Sequence, residues 1–144
     1  MGIYTNEEVI FRRPHLFDKD IILNLRKELF NKQCKFKGTS ELNLYPNFLD
    51  WLAYTLNISK FKEDGVACGT YIAIRKSDNE LIGMAEIKFS SGDDLVKTAH
   101  IIECVRPSER RKGYGRLILQ KGVEECRSLG IKSDKLTFER NSRG

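Results

Sequence analysis

The 144-residue sequence predicts one α/β (α+β) domain, spanning 1–144. It should hold a mixed, mostly antiparallel sheet with flanking helices, in the order β-α-α-β-β-β-α-β. Three observations predict it. The early apolar residues recur at helical spacing and change to strand-like alternation from Thr70 onward. Polar turns then separate short apolar runs closely enough for hairpins. Finally, the run Ala99 to Val105 passes through a basic, glycine-bearing loop into a long helical stretch, which marks a single β-α-β crossover.

Val9 to Arg12 reads as the first strand, ended by Pro14. Asp18 is a candidate cap for a helix from Lys19 to Asn31, whose stripe is Ile21, Ile22, Leu25, Leu29 and Phe30. Lys32 to Leu44, with Gly38, Thr39 and Ser40 at its centre, reads as loop. Asn47, with Asp50 three residues on, opens a second helix from Phe48 to about Ile58. The two helices should form a flap over the sheet or half of a substrate pocket, with Trp51 and Tyr54 on that side. Tyr71 to Ile74 and Leu81 to Phe89 predict a hairpin, Ser90 to Asp94 a turn, and Ala99 to Val105 the central strand. The helix after Gly115 carries Leu117, Ile118, Val123 and Leu129 and stops at Gly130, and Leu136 to Phe138 is the last strand.

Hydrophobic residues make up 40% and charged residues 31%, the balance of a folded globular domain. The sequence lacks a run of roughly 18 apolar residues for a membrane span and the apolar core of a signal peptide, so a cytoplasmic chain without a membrane partner is expected. Cys34, Cys68, Cys104 and Cys126 form no CxxC pair, which points to reduced thiols and no metal site. Net charge is +5, and residues 106–116 hold five basic side chains against Glu109. A nucleic-acid surface would spread its basic residues and interleave aromatics. A compact cluster around glycines points instead to a small polyanion, since glycine lets backbone amides approach a phosphate at a helix N-terminus.

The loop reads Arg110-Arg111-Lys112-Gly113-Tyr114-Gly115, followed by Arg116. It is neither a Walker loop nor a GxGxxG fingerprint. It resembles the acetyl-CoA signature [Q/R]-x-x-G-x-[G/A] of the GNAT superfamily of N-acetyltransferases. The longer phrase Val105 to Tyr114 is similar to that of a group of small bacterial GNAT proteins, and Arg12-Arg13-Pro14, Tyr45 to Leu52 and Leu81 to Met84 extend the resemblance along the chain.

The resemblance implies acetyl-CoA as cofactor and transfer of its acetyl group to the amine of a small molecule by direct attack. The backbone amides of Arg111, Lys112, Gly113, Tyr114, Gly115 and Arg116 would hold the diphosphate, with Arg110 completing the motif. The backbone of Cys104, Val105 and Arg106 would pair with the pantetheine arm, and an N–H near Val105 would face the developing oxyanion. Lys112 and Arg116 could add side-chain contacts. Two carboxylates are candidates for the base: Glu103, unexpected in an apolar strand, and Glu86 in the strand before it. His100 suits proton transfer but has opposite parity to Glu103, which favours a structural role. Tyr114 lies in the cofactor loop and is not a candidate acid; Cys104 is a weak substitute for one.

GNAT domains usually continue past the fifth strand into a helix and a further strand. Here Asn141-Ser142 reads as the start of that connection, so the sequence predicts a domain truncated after its fifth strand. An exposed last strand would then invite pairing with a second copy of the chain, a homodimer. The alternative function is a catalytically weak or inactive module that binds CoA or a protein partner without turnover.

Overall fold

A computed structural model describes residues 8–32, 47–56, 66–91 and 97–140. The predicted loop around Gly38, Thr39 and Ser40, the residues Gly92 to Asp94, the pair Asn141-Ser142 and Cys34 lie outside these, as do the side chains of Tyr54 and Cys68. Strand β1, Val9–Arg12, and helix α1, Lys19–Asn31, match the sequence reading. The predicted cap at Asp18 is not made. Its carboxylate accepts two bonds from the Arg12 guanidinium, at 2.8 and 3.0 Å, and one from the His15 amide at 2.7 Å. A bidentate charged partner on β1 outcompetes the helix amides. At helix α2, Phe48–Leu56, the Asn47 side chain does cap, accepting from the Asp50 amide at 2.9 Å.

The remaining strands are β2, Val66–Arg75, β3, Glu80–Ser91, β4, Lys97–Val105, and β5, Leu136–Arg140; helix α3, Tyr114–Ser128, joins the last two. The sheet order is β1-β2-β3-β4-β5, antiparallel up to β4 and parallel between β4 and β5. Each of β2 to β5 runs longer than its apolar run, because ladder bonds recruit small and polar residues such as Gly69, Thr70 and Arg140 that carry no alternation signal.

Register decides which side chains face which layer. On one face, Tyr71, Ala73, Ala85, Ile87, Ile101 and Val105 pack against Tyr114, Ile118 and Cys126 of α3. On the other, Ile72, Ile74, Met84, Ile102 and Cys104 pack against Ile22, Leu25 and Leu29 of α1 and Phe48, Trp51 and Leu52 of α2. An irregularity between β2 and β3 skips Ile82: Ala73 pairs with Gly83 and Ile74 with Leu81. The extra residue reverses the parity, so Ile82 joins the α3 layer and Leu81 the α1 layer. At the sheet edge, β5 turns Phe138, 50% exposed, toward the α3 side. Among the described residues no helix is long and apolar enough to cross a membrane.

Candidate functional site

The site begins at the C-terminal end of β4. Among the described residues its pairing with β5 runs from Ala99 with Leu136 to Glu103 with Arg140, and β4 itself runs to Val105. A single turn, Pro107–Glu109, then leads into the loop. Arg111 adopts φ 67° and Gly113 φ 90°, both left-handed, and Gly113 is the N-cap of α3. Left-handed residues at alternate positions of a loop can bring amides to one side of the chain, and the first-turn amides of α3 have no intrahelical carbonyl to meet. The positive end of α3 thus lies at the loop, flanked by the exposed side chains of Arg111, Lys112 and Arg116.

The ladder narrows the predicted docking edge. The Arg106 amide donates to the Ile82 carbonyl at 2.8 Å, so it belongs to the β3 ladder. By antiparallel alternation Cys104, opposite Met84, also directs its backbone to β3, whereas Glu103 and Val105 direct theirs toward β5. Of the three residues expected to pair with an incoming arm, Val105 alone presents its backbone on that side. Its carbonyl accepts a 3.1 Å bond from Nε of Arg110, so the first residue of the motif braces the strand end.

Two arginines hold the loop, and neither role was foreseen. Arg75, at the end of β2, donates through Nη1 to Glu109 at 2.8 Å and to the Tyr114 hydroxyl at 3.0 Å, and through Nη2 to Asp78 at 2.7 Å. Tyr114 is therefore a buried strut of the loop, a role the sequence did not suggest. Glu109 also accepts from Lys112 at 3.0 Å. Its carboxyl is held below the usual glutamate range first by Arg75, with burial opposing and Lys112 assisting. Arg106 is buried and donates to Glu28 at 2.9 Å, Asn24 at 2.6 Å, Glu80 at 2.6 Å and the Leu81 carbonyl at 3.0 Å. Glu28 accepts in addition from the Ser108 amide at 2.8 Å. Burial pushes Glu28 up, but Ser108 and Arg106 outweigh it and keep the carboxyl below its ordinary value. Helix α1 is thereby bolted to the turn that precedes the loop. Apart from the local pairs Arg75–Asp78 and Lys112–Glu109, these contacts join residues 25 to 82 positions apart, a separation no local pattern reports.

The two candidate bases lie on opposite faces. Glu86, buried on β3, sits opposite Thr70 and Ile102 on the side of α1 and α2. Glu103, fully buried, points under the first turn of α3, where its Oε1 is 3.7 Å from Nε of Arg140. Cys104 is buried among the α1 and α2 residues. His100 faces away from Glu103, as parity predicts, with Nδ1 2.6 Å from the Thr137 hydroxyl and Nε2 3.4 Å from Glu139.

The profile of the acetyltransferase (GNAT) family matches residues 26–143. The chain belongs to the GNAT family. That match takes in β4, the loop, α3 and β5. Among solved structures, glucosamine-6-phosphate N-acetyltransferase from Arabidopsis thaliana superposes with a TM-score of 0.60 at 14% identity, covering 92% of this chain and 82% of the other. A ribosomal-protein-alanine N-acetyltransferase from Brucella melitensis gives 0.59 at 11% identity, covering 92% and 80%. A predicted acetyltransferase from Clostridium acetobutylicum, whose crystal structure contains acetyl-CoA, gives 0.54 at 16%, covering 92% and 80%. At these identities the likeness is one of fold, and it is not confined to bacteria. No curated protein sequence matches. Acetyl-CoA binding defines the GNAT fold family, and the residues here suit the cofactor: a glycine N-cap in the left-handed region, the unmet amides of the first turn of α3 and a Val105 backbone directed away from β3.

Proposed function

We propose that this GNAT chain is an acetyl-CoA-dependent N-acetyltransferase that acetylates the amine of a small molecule by direct attack. The observation that carries the reading is the loop Arg110 to Gly115, with two left-handed residues feeding a helix N-terminus at the end of β4. The bound cofactor would supply an activated acetyl thioester. The amides from Arg111 to Arg116 hold its diphosphate, and the backbone of Val105 orients the arm that runs beside the end of β4. Ordered this way, attack becomes effectively unimolecular once an amine is seated.

The amine approaches from the α1 and α2 side, and Glu86 is the carboxylate that accepts its proton. What supports Glu86 over Glu103 is its face of the sheet: Glu86 points to the layer of α1 and α2, and Glu103 to the underside of α3. The test pairs calorimetric titration of acetyl-CoA with thiol release on a panel of amino sugars, polyamines and amino acids. Binding with release on at least one amine is expected. Absence of binding would overturn the reading, and binding without release on any amine would favour a module that holds CoA without turnover.

A further inference from the structure

We infer that Arg140 is a diphosphate-binding residue and that Glu103 is the residue that aims it, an inference resting on the acetyl-CoA reading above. Glu103 and Arg140 are partners in the parallel ladder between β4 and β5, so their side chains leave the sheet on the same face, beneath α3. Both converge on Gly115. A methyl group at that glycine would stand 2.6 Å from Nη2 of Arg140 and 3.0 Å from Oε2 of Glu103. A side chain at position 115 would therefore crowd the buried Glu103 carboxylate and displace the half-exposed guanidinium of Arg140.

Charge explains the pairing. A buried carboxylate under a helix N-terminus is favoured by the dipole. On its own, however, it would repel an anion bound at that terminus, since two negative charges a few ångströms apart in a partly desolvated site interact strongly. Arg140 reverses the sign. Its Nε lies 3.7 Å from Glu103, its Nη2 lies beside Gly115 in the first turn of α3, and the side chain as a whole remains 52% exposed. A planar fork with five donors can satisfy a buried carboxylate through one edge and an oxygen-rich ligand through another. Glu103 then acts through Arg140, as a positioning residue, and takes no proton from the amine.

The experiment compares acetyl-CoA with S-acetyl-pantetheine, which carries the thioester arm without the diphosphate. In Arg140→Ala, the KM and dissociation constant for acetyl-CoA should rise about tenfold with kcat at saturation retained, the loss expected for one half-exposed charge-assisted contact. Its kcat/KM for S-acetyl-pantetheine should equal that of the parent enzyme. Arg140→Lys should fall between the two, having charge without the fork. Glu103→Gln should raise the acetyl-CoA constant severalfold and leave the pH profile of kcat unmoved. Equal acetyl-CoA affinity in Arg140→Ala would overturn the inference, as would equal losses on both acyl donors, which would mark a purely structural pair. A collapse of kcat in Glu103→Gln with unchanged affinity would make Glu103 the base. If the parent protein itself bound no acetyl-CoA, the proposed function would fail instead, and the two failures are distinguishable.

Discussion

Replacing Arg106 by methionine tests whether the bolt between α1 and the loop carries stability. Methionine keeps most of the aliphatic stem and removes the guanidinium. The four partners lose differently. Glu80 is nearly half exposed, and water replaces its bond. Glu28 is a quarter exposed and retains the Ser108 amide. The Leu81 carbonyl is left in a buried setting. Removing one member of a fully buried charged pair typically destabilises by about 3–5 kcal/mol, and the rehydration of Glu80 and Glu28 puts Arg106→Met near the lower end, about 3 kcal/mol. For a domain of this size each kcal/mol shifts Tm by roughly 2–4 °C, so a fall of about 10 °C is expected. Thermal unfolding followed by circular dichroism measures it. Lys76→Met, which removes the exposed pair with Glu8 at 2.9 Å, serves as control and should move Tm by no more than about 2 °C. An Arg106→Met variant within that same margin would refute the claim that α1 is anchored through this residue.

Other perturbations follow from the same contacts. Asp18, Glu28 and Glu109 all titrate below their ordinary values in the folded state, so the unfolded chain binds protons first. Their stabilisation is complete above the ordinary value of 4.5 for Glu28 and Glu109 and is lost as pH falls through the lower folded values. The urea midpoint should therefore drop between pH 6 and pH 3, and a flat or rising midpoint would contradict it. Arg75→Ala should weaken acetyl-CoA binding about fivefold by loosening Glu109 and Tyr114, with Tyr114→Phe milder; calorimetry reads both, and parent-like affinity in Arg75→Ala would remove it as a loop strut. Burial pushes the Cys126 thiol up to about 11. Native protein at pH 8 should resist alkylation at Cys126 while the urea-unfolded chain reacts quickly, and mass spectrometry showing equal modification would contradict that environment.

The elements were legible where periodicity was strong. Helix α1 is bounded by Pro14 upstream and carries Ile22, Leu25 and Leu29 on one stripe, so both ends could be read. Helix α3 begins at Tyr114, before the start expected after Gly115, because the left-handed Gly113 lets the helix start inside the loop. Strand β2 begins at Val66, where Ala67-Cys68-Gly69 gives no alternation to detect. The relation between Glu103 and His100 followed from strand parity, but which face α3 would cover did not, and that choice places Glu103 on the underside of the helix. The basic glycine-bearing loop could be located from glycines and charge together with its family resemblance. Its supports could not, because Arg75 and Arg106 reach partners far away in the chain, and Asp18 gave up a predicted cap for a long-range charged partner.

The central claim is that the loop Arg110 to Gly115 holds the diphosphate of acetyl-CoA. Titration of acetyl-CoA into the parent protein, Gly113→Ala and Gly113→Asp tests it most directly. Gly113 has φ 90°, so alanine adds backbone strain of roughly 1–2 kcal/mol without charge, and aspartate adds a carboxylate against the phosphates as well. The account predicts saturable binding to the parent, weakened binding to Gly113→Ala and loss of binding to Gly113→Asp in a variant that remains folded. Parent-like affinity in Gly113→Asp would contradict it.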